Sequence, residues 1–323
     1  MDTPTTCASP QLSLSSWPPP ASPPPQIRRG LVSGGRLDIW FPQWLKDFCD
    51  KNNLLLFSPD YRLLYPSNGQ DIIDDVKSLF KFLKKSQFNK DILPYNIQLQ
   101  PSQIAVAGFS GGGYPARVAG LNEDVKAVLS VYGMGGDFLL DHWLIPGQPH
   151  PTIDFIFPND KAKEAALLSK VPAPIADSPV SVVPPSQFVD PLGRMGLFTA
   201  WVNNGTILDV LTSTPGLSSC LRSLPASQRF TAIPKKLQPL FLEYQLTKKF
   251  PPTVFVHGSA DDVVLPAESK RTYEDLRAVG VRTQYLELVG AGHGLVNGFG
   301  MPYPGSDEIL VKGAEFLLEE LRK

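Results

Sequence analysis

The run Ala127-Val128-Leu129-Ser130-Val131 is apolar on both sides of its pleat. Leu54-Leu55-Leu56-Phe57, Ile104-Ala105-Val106-Ala107 and Thr253-Val254-Phe255-Val256-His257 read the same way. A strand wetted on one face alternates apolar and polar residues. A run without alternation has to be covered on both faces, as in parallel sheets held between helices. The covering helices are legible between the runs. Phe41 to Lys51 sets Trp44, Leu45 and Phe48 at helical spacing. Asp71 to Lys85 sets Ile73, Val76, Phe80 and Leu83 on one stripe, with Lys77, Lys81, Lys84 and Lys85 on the remainder. A helix opens near Gly111 and another spans Glu268 to Val279. A strand covers Gln284 to Val289, and a last amphipathic helix runs from Asp307 to Leu321. Strand, helix and strand in succession join parallel neighbours through a right-handed crossover. The expected class is α/β, with a mostly parallel central sheet flanked by helices.

Two stretches break this rhythm. Residues 1–26 are largely Ser, Thr and Pro and end in Trp17-Pro18-Pro19-Pro20-Ala21-Ser22-Pro23-Pro24-Pro25. Proline has no N–H to donate to a ladder, so the stretch reads as a disordered tail rather than a strand or a docking motif. Residues 134–250 are rich in proline and carry short helical pieces, such as Asp160 to Lys170 and Ile233 to Leu246, and read as an inserted helical cap. The expected division is a tail over 1–26, a core over 27–133, the cap over 134–250 and the rest of the core over 251–323. One core with an insert accounts for 323 residues.

Thirty basic against 31 acidic side chains leave a net charge of −1. No global field draws in phosphate backbones, so no nucleic-acid partner is expected. The three cysteines, Cys7, Cys49 and Cys220, are odd in number and scattered. They suit neither a disulfide framework nor a metal clip, and neither a metal nor a cofactor is expected. No run of about 18 apolar residues is present to span a bilayer, and the first residues lack the basic and apolar stretches of a secretory signal. The expected location is cytoplasmic.

Directly after the strand ending at Ala107 stands Gly108-Phe109-Ser110-Gly111-Gly112, a G-x-S-x-G between strand and helix. A tight turn there lifts the serine hydroxyl above the sheet, which makes Ser110 the candidate nucleophile and the N–H of Gly111 a candidate oxyanion donor. A dinucleotide site competes, because Gly111-x-Gly113-x-x-Ala116 also opens a helix. That site needs a carboxylate about 20 residues on, at the end of the next strand, where this chain has Val131-Tyr132-Gly133.

A serine hydroxyl needs a base to take its proton and an acid to orient that base. Four histidines are available. His142 and His150 lie in the irregular insert, and His257 ends an apolar strand, where packing or hydrogen bonding suits it. His293 lies in Gly290-Ala291-Gly292-His293-Gly294, a loop free to reach over the carboxyl edge of the sheet, and is the candidate base. The acid is Asp261 or Asp262, which follow the strand Thr253–His257.

These loops together resemble the α/β-hydrolase fold-3 family, the branch related to hormone-sensitive lipase and the small carboxylesterases. The similarity runs from about Gly30 to Lys323. Ser58-Pro59-Asp60-Tyr61-Arg62-Leu63 resembles the family's D-Y-R-L motif, and Gly108–Gly112, His257–Val264 and Gly290–Gly294 resemble its three catalytic loops. The resemblance selects Asp261 over Asp262 and gives Asp60, Tyr61 and Arg62 structural roles. It implies hydrolysis of a small or apolar carboxylic ester through an acyl-enzyme, without a cofactor, under a cap. A tailoring role in secondary metabolism is compatible with it.

The chain departs from the family at one place. Where the family carries an H-G-G-G oxyanion loop after an apolar strand, this chain reads Ile27-Arg28-Arg29-Gly30 after the proline tail. Gly30 is the surviving candidate donor, and the sheet is expected to be incomplete between Leu54–Phe57 and Ile104–Ala107. A gene model truncated or mis-spliced at its start is the preferred explanation, ahead of a makeshift strand or lost activity. Two other functions remain open. One is a prolyl-oligopeptidase-like peptidase, whose loops G-x-S-x-G-G and H-G-S-A-D-D also resemble. The other is a non-catalytic ligand-binding homologue.

Overall fold

The structure, a computed structural model, describes residues 31–35, 41–94, 97–169, 173–183, 187–298 and 300–323. Residues 1–26 and Gly30, on which the tail and the second oxyanion donor were placed, lie outside the described residues. Helices α1 (Gln43–Lys51), α2 (Gly69–Leu83) and α3 (Ser86–Asp91) precede strand β1 (Ala105–Phe109). A 3₁₀ turn over Ser110–Gly112 leads into α4 (Gly113–Asn122) and β2 (Ala127–Val131). The long segment that follows holds α5 (Asp141–Leu144), α6 (Pro151–Ile156), α7 (Lys161–Leu168) and the antiparallel pair β3 (Ser181–Val183) and β4 (Gln187–Val189). It continues through α8 (Arg194–Asn203), α9 (Ile207–Leu211), α10 (Leu217–Arg222) and α11 (Ala226–Ala232). β5 (Thr253–Gly258), α12 (Pro266–Ala278), β6 (Thr283–Leu288) and α13 (Ser306–Leu321) close the chain. No helix among the described residues is long and apolar enough to cross a membrane.

The main sheet has the spatial order β1-β2-β5-β6, and every pairing is parallel. Successive side chains of a strand point to opposite faces, and here each face has its own core. Val128 and Phe255 join Ile72, Ile73, Val76 and Val118 from α2 and α4. Ala127, Leu129, Val131, Val254 and Val256 join Leu45 of α1 and Leu310, Ala314 and Leu317 of α13. Helices α4 and α12 pack on one face of the sheet, with α2 against α4, while α13 packs on the other, with α1 beside it. This double covering is what the unalternating runs require.

Local signals set the helix ends. Asn68 caps α2, its side chain accepting from the N–H groups of Gln70 and Asp71 while Asp71 Oδ2 accepts from Asn68 N–H, a reciprocal pair that satisfies otherwise stranded donors. Arg62 binds Asp71 and Asp75 of the same helix and so fixes the preceding loop on α2.

Two sequence expectations are corrected. Leu54–Phe57 is not a strand. It pairs with nothing among the described residues, and Leu55 and Phe57 are exposed. A strand exists only where a neighbour accepts its ladder, and β1 is an outer strand among the described residues. A cavity of about 570 Å³, lined by Leu54, Leu56, Val76, Phe80, Ala105 and Ala107 among others, borders both segments. Ile233 to Leu246 is not an α-helix either. Pro234 and Pro239 deprive it of backbone donors, and the chain forms two 3₁₀ turns, Gln238–Leu240 and Leu242–Tyr244.

The crossover from β1 to β2 brings backbones into close approach. A Cβ at Gly113 would lie 2.5 Å from Gly133 Cα, so α4 can meet the end of β2 only with glycine there. Gly113→Ala is expected to cost about 1–3 kcal/mol, read as a lower midpoint of urea unfolding with an unchanged slope.

Candidate active site

The strand β1 ends in a bend that few sequences tolerate. Ser110 holds φ at +49°, a left-handed conformation unusual for a residue with a side chain. A Cβ at Gly108 would fall 2.4 Å from Gly112 O and 2.6 Å from Ala116 Cβ, so the turn closes only over a bare backbone. Met134 N–H donates to Ser110 O at 2.8 Å, which ties the elbow to the loop after β2. Gly111 is buried in this turn.

Three loops from the carboxyl ends of β1, β5 and β6 converge. Ser110 Oγ lies 2.9 Å from His293 Nε2, and His293 Nδ1 lies 2.7 Å from Asp261 Oδ2. The carboxylate can only accept, so Nδ1 carries the proton and Nε2 is free to accept from the serine hydroxyl. All three residues are buried, with Ser110 the most exposed at 7%. The ring of Tyr132 stands edge-on to the imidazole at 5.0 Å. Gly292 N–H to Val296 O and Gly290 N–H to Ser259 Oγ brace the loop that carries His293.

Asp261 is surrounded by N–H donors. Its Oδ1 accepts from Val263 and Val264 N–H at 2.9 and 3.0 Å, and its Oδ2 faces His293 Nδ1 and, at 3.2 Å, His257 Nε2. Burial alone would raise this carboxyl. The charge of His293 and the hydrogen bonds from both histidines outweigh burial and hold it well below the usual carboxylate range. Asp262, the other acid the sequence offered, turns away, and its Oδ2 accepts from Thr152 N–H. His142 donates from Nε2 to Val263 O and packs against His150. Burial lowers both rings, His150 to about 4, which leaves them neutral near pH 7.

Sequence reasoning missed three buried ionisable side chains. Glu268, in the first turn of α12, accepts from Gly135, Gly136 and Asp137 N–H on Oε2 and from Trp143 Nε1–H on Oε1. It thereby fixes the loop that also holds the elbow. An acid following Pro266 at a helix start is the signal that could have found it. Arg194 donates to the carbonyls of Val32, Leu64 and Tyr65. This joins α8 to residues 31–35, which also bridge to Ser178 through Gly34. No local pattern announces such a contact.

Glu243 is the third. Its Oε1 accepts from Phe138 N–H, and its buried Oε2 has no partner. Burial pushes Glu243 up to about 8, and pushes Glu268 up to about 7 against the pull of its N–H donors. A carboxyl whose folded pKa is raised binds its proton more tightly folded than unfolded. The stability it contributes is complete below the unfolded pKa and is lost as pH rises toward the folded one. The protein is therefore expected to lose stability between about pH 5 and pH 8. Glu243→Gln should remove about 2–4 kcal/mol of that dependence, read from urea midpoints at the two pH values.

No group of three or more His, Cys, Asp or Glu side chains among the described residues is placed to hold a metal ion. The large cavity beside β1 reaches Gly108, Phe109 and Gly112 from below but is lined mainly by apolar side chains. Ser110, His293 and Asp261, the candidate catalytic residues, do not line it.

No family model matches the chain. A solved structure of an α/β hydrolase superfamily protein from Enterococcus faecalis superposes with a TM-score of 0.53 at 16% identity, covering 91% of this chain and 88% of that one. The fold is that of the α/β-hydrolases. A Staphylococcus aureus protein of unknown function superposes at a TM-score of 0.56 and 18% identity, covering 90% and 86%. In sequence, the chain is 24% identical over 297 residues to a Phoma sp. protein named "Probable carboxylesterase M8", spanning 89% of this chain and 82% of that one. The long segment between β2 and β5 separates two strands that pair directly in the sheet.

Proposed function

We propose that this α/β-hydrolase is a serine esterase that cleaves a small or apolar carboxylic ester through an acyl-enzyme. The observation that carries the reading is the unbroken line from Ser110 Oγ through His293 to Asp261, with spacings of 2.9 and 2.7 Å. The carboxylesterase name of the Phoma relative supports the ester bond as the target. The loop resemblance supports the hormone-sensitive-lipase branch. Phe157 and Val180 of the inserted segment join the buried cluster of Phe109 and Tyr132 beside the elbow, which favours an apolar acyl or alcohol group under a cap. A tailoring hydrolysis in secondary metabolism is the setting we assign.

In the proposed reaction Ser110 Oγ attacks the ester carbonyl while its proton passes to His293 Nε2. Gly111 N–H stabilises the tetrahedral oxyanion. The intermediate collapses, the C–O bond to the alcohol breaks, and His293 gives the proton to the departing oxygen. Water then attacks the acyl group with His293 again as base, and the acid leaves as Ser110 regains its proton. Asp261 holds the imidazole in the tautomer this exchange needs and balances its charge when it is doubly protonated.

The test is labelling with a fluorophosphonate probe alongside turnover of p-nitrophenyl acetate. The expected result is hydrolysis of the ester and a single covalent adduct on the peptide that contains Ser110. A protein that neither hydrolyses the ester nor takes the probe would end the esterase reading.

A further inference from the structure

His257 is the one histidine outside the Ser110–His293–Asp261 line that touches it. Its ring is fully buried at the end of β5. Nε2 faces two acceptors, Val264 O at 2.9 Å and Asp261 Oδ2 at 3.2 Å, while Nδ1 lies 2.8 Å from Ser269 Oγ on α12. Two acceptors at one ring nitrogen require the proton there. Nδ1 of the neutral ring is then an acceptor, and the Ser269 hydroxyl donates to it. The acceptors at Nε2 thus fix the tautomer of His257, and the Ser269 hydroxyl, able to donate or accept, turns to match it.

We propose that His257 is a positioning residue: its Nε2–H holds Asp261 Oδ2 in the orientation that keeps the His293 proton on Nδ1. The inference rests on the esterase reading above. Without this donor, Oδ1 remains held by Val263 and Val264 N–H, but Oδ2 is anchored only by the imidazole it is meant to orient. The carboxylate can then rotate about its last bond, and His293 follows it away from Ser110. Ser269, His257, Asp261, His293 and Ser110 form one chain of hydrogen bonds from α12 to the elbow, so α12 takes part in setting the base. His257 touches no reacting atom.

The experiment compares His257→Leu with His257→Gln, whose amide nitrogen can reach the place of Nε2 and donate as it does. Loss of a hydrogen bond to a charged group predicts a fall in kcat of about 10- to 100-fold in the leucine variant, with KM changed less than about threefold. The glutamine variant should recover most of that loss. A second readout is independent of turnover, namely the strongly deshielded Nδ1 proton of His293 in the NMR spectrum, expected in wild type and in His257→Gln and lost or shifted in His257→Leu. A leucine variant with unchanged kcat, a glutamine variant as impaired as leucine, or a change confined to KM would overturn the proposal. Wild type that shows the deshielded proton but turns over no ester would defeat the esterase reading instead. The positioning role then stands if His257→Leu moves that proton and falls if it does not.

Discussion

Replacing Ser110 with alanine is expected to lower kcat for p-nitrophenyl acetate by about 10⁵- to 10⁶-fold, with the thermal midpoint nearly unchanged. The large factor follows from the covalent step. Without Oγ no acyl-enzyme forms, and the only rate left comes from binding and oxyanion contacts acting on attack by water. The small structural effect follows from the bend. Ser110 carries φ +49°, a conformation that alanine enters at similar cost, and the hydroxyl's hydrogen bond is to His293, which keeps its bond to Asp261 when the hydroxyl is gone. The measurements are steady-state turnover, probe labelling and a melting curve. Residual turnover within about 100-fold of wild type would mean that another group attacks the ester.

Asp261→Asn is expected to lower kcat by about 10⁴-fold. Val263 and Val264 N–H both point at Oδ1, so the amide oxygen of asparagine settles there and its NH₂ takes the place of Oδ2. That NH₂ then faces His293 Nδ1 and His257 Nε2, which both present N–H in wild type. His293 can accept from the NH₂ only by moving its proton to Nε2, where it blocks the Ser110 proton. His257 is bonded to Val264 O and Ser269 and keeps an N–H against an N–H. The variant therefore combines a wrong tautomer with a local clash, and its melting point should drop where that of Ser110→Ala does not. Activity within tenfold of wild type would show that the imidazole finds its orientation without the carboxylate.

The sheet was largely legible because its inner strands lie in a uniform environment. Ala127–Val131 is covered on both faces, so composition alone locates it, and the structure sets the same bounds. β5 runs one residue past its expected end and β6 is shifted by one residue at both ends, as expected of boundaries defined by hydrogen bonds rather than side chains. Leu54–Phe57 shows the limit, for its apolarity predicts a strand while a ladder needs a neighbour. Ser110, Asp261 and His293 could be named because short motifs mark each loop, and the structure brings the three side chains to one place. Glu243 and Arg194 carry no such mark, and Glu268 has only its place after Pro266 at a helix start. Apart from Trp143 at Glu268, their partners are backbone groups 105 or more residues away, and a contact to a backbone group leaves no trace in the identity of the residue that provides it. His257 falls between these cases: its place in the strand was visible, but its second partner, Ser269 on the following helix, was not.

The Arg194 clamp restricts how far α8 can move from the core. A guanidinium that is 2% exposed and bonded to three carbonyls of residues 32–65 is stranded if α8 lifts from the core. Breaking a buried charge contact of this kind costs about 3–5 kcal/mol, which makes the lifted form rarer by roughly 10²- to 10⁴-fold. The segment between β2 and β5 therefore does not lift from the core as one piece. Its α8 end acts as a fixed post, and any rearrangement of the stretches before it has to leave that post in place.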